Sequence, residues 1–436
     1  MIRNKLRRAL NSSMRLYASG AASLLAIQFL WPLLATPSAQ AQTLMVLHTF
    51  TGKGDGQDPD GGLIWDASGN LYGVTGSGGS FDVGTVFRID TQGKETILHN
   101  FWSGDGHGPS STLVRDQTGT LYGVAFLGGT PEGGECFFGC GAVFKLDKTG
   151  SETVLYAFSG GADGGYPEGG LVRDDSGNLY GTTVFGGGCR PGPGCGVVFK
   201  VDTQGKETVL YTFTGITGDS PEPLGGLIRD KAGNLYGVTL YGGVTTHCGD
   251  YGCGTVFKVD TKDNETILYR FTGGTDGGGP SGSLVPDTAG NLYGAAGYGG
   301  NLSSCPDGLY NGCGVVFKLD RTGKETVLYA FKGSPDGASP QGRLLRDKSG
   351  NFYGVTVAGG TTGCNVNQGC GTIFKVDASG VETVLYTFTG GTDGANPNGD
   401  LVMDKSGNLY GTTSSGGDPS CYRAGGGCGV VFKLTP

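Results

Sequence analysis

Histidine is scarce in this chain: there are four in 436 residues. That leaves little material for histidine-rich metal centres. None of the four stands near a Ser or Cys in a recognisable catalytic arrangement. Beyond residue 41 no segment keeps a helical period, which excludes the α and α/β classes. No segment there is apolar enough for a membrane-spanning helix. No phosphate loop, dinucleotide fingerprint, zinc-protease motif or serine elbow occurs. Glycine is abundant, at 89 residues, but follows no Gly-X-Y triplet, and prolines are few, so collagen is excluded.

The first 41 residues stand apart. Arg3, Lys5, Arg7, Arg8 and Arg15 give a basic start with no acid, an apolar stretch runs from about Ala21 to Ala35, and Ala39-Gln40-Ala41 follows. This layout predicts a secretory signal peptide over 1–41, cleaved after Ala41, rather than a retained anchor. Removing it leaves 26 basic against 39 acidic residues, a formal charge of −13. So acidic a chain is not expected to use nucleic acid or anionic lipid as its partner.

What the chain has is an internal repeat. Gly-Asn-Leu-Tyr-Gly or a near copy occurs seven times, with tyrosines at Tyr72, Tyr122, Tyr180, Tyr236, Tyr293, Tyr353 and Tyr410, spaced 50 to 60 residues apart. Each copy reads as four short β-branched and aromatic runs between Gly, Asp and Asn turns. In the third copy these are 170–174, 179–183, 197–202 and 207–213. Seven such modules over 42–436, starting near 61, 111, 169, 225, 282, 342 and 399, predict an all-β, seven-bladed propeller with four antiparallel strands per blade. The main rival, an open β-solenoid, has shorter coils. The last module lacks a fourth run, and residues 44–50 supply an unaccompanied one. The N-terminal strand is therefore expected to complete the last blade.

Connections from strand 1 to 2 and from 3 to 4 are short and uniform. Those from 2 to 3, and from 4 to the next 1, vary. The variable face is the candidate binding surface. All twelve cysteines lie in its 2–3 loops, as Cys136/Cys140, Cys189/Cys195, Cys248/Cys253, Cys305/Cys313, Cys364/Cys370 and Cys421/Cys428. The first copy lacks both members, so each pair is expected to form a local disulfide in an oxidising compartment. The Cys136–Cys140 spacing also suits zinc, but a tetrahedral site would need two further ligands.

Three side-chain series recur. Asp66, Asp116, Asp174, Asp230, Asp287, Asp347 and Asp404 open turns and are expected to accept backbone N–H bonds. Asp55, Asp105, Asp163, Asp219, Asp276, Asp336 and Asp393 follow strand 4 on the variable face. They read either as turn residues or as a ring of carboxylates around the axial opening, able to hold Ca²⁺. Arg115, Arg173, Arg229 and Arg346 end strand 1, replaced by Trp65, Pro286 and Met403 elsewhere, and are expected to pair with neighbouring aspartates. His48 and His99 stand where other copies carry tyrosine, as aromatic substitutes, while His107 and His247 lie in variable-face loops.

The ordered phrases Gly-Asn-Leu-Tyr-Gly-Thr-Thr, Gly-Gly, Cys-Gly-Val-Val-Phe-Lys and Glu-Thr-Val-Leu-Tyr-Thr-Phe resemble the GloVer tandem repeat of secreted bacterial proteins, over essentially 44–436. The resemblance implies an exported propeller and no activity that can be carried onto residues. The expected function is a secreted, monomeric, non-catalytic propeller binding an extracellular polysaccharide or surface protein, with no cofactor beyond a weakly indicated Ca²⁺. Two alternatives stay open. One is a carbohydrate-active hydrolase or lyase, since two carboxylates on separate loops leave no linear signature. The other is a structural or adhesive envelope protein.

Overall fold

The computed structural model describes residues 42–129, 136–188, 195–215, 222–303, 305, 312–361, 363–364, 368–421 and 426–436. The segment 1–41, Cys189 and Asp219 lie outside the described residues. Among the described residues the chain forms seven antiparallel sheets, one per blade, and no α-helix. Blade 1 consists of Ile64–Trp65, Leu71–Thr75, Thr85–Ile89 and Glu95–Asn100, and the other blades repeat this order. In blade 7 the fourth place is taken by Thr43–Thr49, antiparallel to Val430–Thr435 with Val46 opposite Phe432. The ring is thus closed by its own N-terminal strand, and the sequence expectation of an all-β, seven-bladed propeller holds.

The strands form where β-branched and aromatic residues cluster, and blade-to-blade packing orders them. Third strands such as Val197–Val201 are buried along almost their whole length. The phenylalanine after each fourth strand meets one in the third strand of the next blade, edge to face. Phe158–Phe199 and Phe331–Phe374 lie at 5.0 Å between ring centres, and Phe50–Phe87 crosses the closure at 5.2 Å. Each such pair adds about 0.5–1.5 kcal/mol beyond area burial. The second glycine of the repeated phrase makes room for this layer: a Cβ on Gly181 would stand 2.6 Å from the Phe199 ring.

The innermost strands differ from the expected extents. The run 170–174 gives only Val172–Arg173, whereas in blade 6 the strand is continuous over Gly337–Arg346. The reason lies in the residues before the short strand, which turn towards the axis and meet their neighbours instead of extending the ladder. A Cβ on Gly225 would stand 2.9 Å from the Gly282 carbonyl oxygen of the next blade.

Candidate functional site: the axial cavity

A cavity of about 800 Å³ runs along the axis, lined by residues from all seven blades. Each blade contributes through one phrase, Pro-Xaa-(Gly/Ser)-Xaa-Leu, at the entry to its innermost strand. The proline is constant and the leucine is buried. The two Xaa positions are not constant. The first is Asp60, Ser110, Glu168, Leu224, Ser281, Gln341 and Asn398 around the ring. The second is Gly62, Thr112, Gly170, Gly226, Ser283, Arg343 and Asp400. Near-sevenfold backbone symmetry therefore carries an asymmetric polar lining. The other end of four strands brings Trp65, Arg115, Arg229 and Pro286 to the cavity, whereas Arg343 stands among the acids at the strand entries.

Asp400 is the most deeply placed of these acids, and burial pushes its carboxyl up despite its donors. The Arg343 backbone N–H donates to Oδ1 at 2.7 Å and the Thr112 hydroxyl donates to Oδ2 at 3.1 Å. Thr112 in turn accepts the Gly62 N–H at 3.1 Å. These bonds join blades 1, 2, 6 and 7 around one carboxyl. The Asn398 amide donates to Asp60 at 3.0 Å, leaving its own Oδ1 buried without a hydrogen-bond partner. Burial, with the charges of Glu222 and Asp60, raises Glu168 to about 7. Burial also raises Glu222. A carboxyl that titrates near neutrality can donate or accept a hydrogen bond as a ligand requires.

The acidic series after strand 4 is placed elsewhere. None of its described members lines the cavity. Each is held within its own blade: Asp163 accepts the Tyr156 hydroxyl at 2.9 Å and the Ser159 N–H at 2.8 Å. Asp276, Asp336 and Asp393 repeat this with Tyr269, Tyr329 and Tyr386. Asp105 bonds His99 at 2.9 Å, and Asp55 accepts the Thr51 N–H at 2.8 Å. These aspartates do not converge on an axial ring, because their oxygens are engaged at the outer edge of the blades. An offset of seven residues from tyrosine to aspartate, shared by these four blades, was the sequence signal of that pairing.

The turn-opening series does what its pattern predicts. Asp66 accepts the Ser68 and Asn70 N–H groups at 2.9 Å, and the Tyr72 hydroxyl at 3.1 Å. The arginines depart from the ion pairs expected of them. Arg229 lies over the Tyr180 ring of the preceding blade at 5.6 Å, and Arg115 over Tyr72 at 5.8 Å. That tyrosine already donates to its own turn aspartate, so the arginine finds a π face where a carboxylate was expected. Trp65 takes the same place on Tyr410, at 4.7 Å.

Five cysteine pairs form the expected local disulfides, Cys136–Cys140, Cys248–Cys253, Cys305–Cys313, Cys364–Cys370 and Cys421–Cys428. Cys195 is also disulfide-bonded. They pack beneath the loop that follows strand 4, where a Cβ on Gly273 would collide with the sulfur of Cys248. His48 and His99 stand edge-on to Phe50 and Phe101, as Tyr156 does to Phe158. His247 Nδ1 is 2.9 Å from the Thr272 carbonyl oxygen, and burial lowers His107.

The Gloeobacter/Verrucomicrobia repeat profile matches residues 34–192, 125–364 and 302–436. The chain belongs to this repeat family. No curated protein matches it by sequence. Among solved structures, it is similar to the extracellular domain of a proposed hybrid two component system from B. thetaiotaomicron, at 12% identity and a TM-score of 0.53. That match covers 90% of this chain and 41% of the other, so the family member spans about two fifths of that structure. A gluconolactonase from Xanthomonas campestris matches at 11% identity and a TM-score of 0.41, over 90% of this chain and 89% of its own. At these identities the likeness concerns the fold alone.

Proposed function

We propose that this repeat protein is an exported binding propeller that takes a polyhydroxylated ligand, a segment of an extracellular polysaccharide, into its axial cavity from the variable face. One observation carries the reading. The seven copies agree in their strands and turns yet differ at the two positions per blade that line the cavity. Carboxylates, hydroxyls and amides dominate that lining, and these groups match the alternating donors and acceptors of sugar hydroxyls. Trp102 (54% exposed), Phe81 and Phe137 (93%) on the loops of blades 1 and 2 expose flat apolar surface on the variable face. Local disulfides and the basic, apolar leader fit an oxidising, extracytoplasmic setting.

A second reading, hydrolysis or lyase chemistry on the same ligand, is favoured by Glu168 at about 7 beside Asp60 in the same cavity. Glycoside cleavage uses a pair of carboxyl groups, one of them an acid with a raised pKa. The deciding experiment incubates the purified chain with a panel of polysaccharides and scores retention and reducing-end release together. Retention without release supports the binding propeller, and release abolished by Glu168→Gln supports the enzyme. Neither retention nor release would favour a purely structural role.

A further inference from the structure

Among the described residues, the outer strands of six blades carry one aromatic residue that faces an aspartate further along the chain. In four blades the contact is a tyrosine hydroxyl donating to a carboxylate at 2.8–3.0 Å. In blade 1, His99 Nε2 lies 2.9 Å from Asp105. The closing strand of blade 7 breaks the pattern. His48 Nε2 is 3.7 Å from Asp55 Oδ2 and 3.6 Å from Glu95 Oε2, beyond hydrogen-bond reach of both. That nitrogen is buried without a hydrogen-bond partner. The three side chains are only 12–18% exposed, and their three donor atoms lie within 4.8 Å of one another.

We propose that His48, Asp55 and Glu95 form a divalent-metal site that clamps the closing strand to blade 1. Zinc held by nitrogen and oxygen at about 2.0–2.2 Å in a tetrahedron has ligand-to-ligand edges of about 3.3–3.6 Å. The spacings around His48 lie close to that range, whereas His99 and Asp105 are too close together to admit a metal ion. One imidazole and two carboxylates form a borderline donor set suited to Zn²⁺, with a fourth position left for water. Asp55 is aimed by outer bonds: Thr51 donates its N–H at 2.8 Å and its hydroxyl at 2.7 Å, and the Lys53 N–H donates at 3.3 Å. Such bonds fix a ligating carboxylate in orientation.

The position gives the site a role. His48 and Asp55 belong to the closing strand and the loop after it, while Glu95 begins the outer strand of blade 1. The metal would tie the closing strand to blade 1, adding to the contacts that already join blades 7 and 1, among them Phe50–Phe87, Trp65–Tyr410 and the Asn398–Asp60 bond.

The test is zinc uptake by the purified chain after chelator treatment, followed by calorimetric titration and bound-metal analysis, with melting temperature as a second readout. One Zn²⁺ per chain and a raised melting temperature are expected. His48→Tyr installs the residue that five other blades carry, so it should fold, and it should weaken zinc binding at least about 100-fold. Glu95→Gln should do the same, and His99→Tyr should leave uptake unchanged. Absence of stoichiometric uptake would overturn the site. Uptake by both His48→Tyr and Glu95→Gln at the level of the unaltered chain would overturn it equally.

Discussion

The short-turn face and the axial cavity are built from the same seven repeats, yet they use them in opposite ways. At the turns every blade places one aspartate under the same N–H groups and one tyrosine hydroxyl, so Asp66 and Asp404 are interchangeable in role. At the cavity no two neighbouring blades present the same pair of side chains. The contrast separates two demands on one sequence. Where all seven copies agree, the residue is holding the scaffold. Where they differ on a backbone that does not, the position is free of that duty and can serve a ligand.

The sharpest way to break the comparison is at the packing layer. Phe199→Ala should cost about 3–5 kcal/mol in urea unfolding, since the ring fills the space beneath Gly181 and meets Phe158. A loss below 1 kcal/mol would mean that blades are held together elsewhere. Asp174→Ala should cost less, about 1–3 kcal/mol, by leaving the Asn178 N–H and the Tyr180 hydroxyl without their acceptor. Thr112→Ala, a cavity position, should cost less again although it also loses bonds, because its blade keeps its turn and its phenylalanine.

The outer edge sharpens the comparison through pH. Burial raises Glu152, Glu207, Glu325 and Glu382 to about 7, each beside an aspartate of the preceding blade. Their folded values exceed the ordinary 4.5, so the folded state holds more protons than the unfolded one between these values. The stabilisation is full below about pH 4.5 and is lost as pH rises through 7. The turn aspartates act in the opposite sense: burial alone would raise them, but their donors outweigh it, and their contribution fades as pH falls below the ordinary carboxylate range. Melting temperature should therefore fall between about pH 5 and pH 7, and Glu207→Gln should flatten the decline. A melting temperature independent of pH over that interval would contradict the assignment. Disulfide reduction should have the smallest effect. The loops are only four to eight residues in separation, so the melting temperature should drop by a few degrees at most.

Much of the fold was legible because propeller blades repeat what they need. Val-Val-Phe-Lys marks third strands, Glu-Thr-Val-Leu-Tyr marks fourth strands, and the missing fourth run at the C-terminal end pointed to Val46–Phe50. The innermost strands were overextended in the sequence reading, since Gly170 and Leu171 look like strand but turn towards the axis. The site was the least legible part. Asp55 and its series were placed by loop order alone, which cannot distinguish the outer edge of a blade from its axis. Asp60, Glu168 and Asp400 went unnoticed because repeats draw attention to agreement, and the signal there was disagreement between a constant proline and a constant leucine.

The central claim is that the asymmetric lining of the cavity binds the ligand while the repeated residues only hold it in place. The most direct measurement compares polysaccharide retention by the unaltered chain and by an Asp60→Asn, Glu168→Gln double variant, with melting temperature recorded for both. Retention lost at an unchanged or raised melting temperature is the predicted result. Retention equal to that of the unaltered chain would contradict the account.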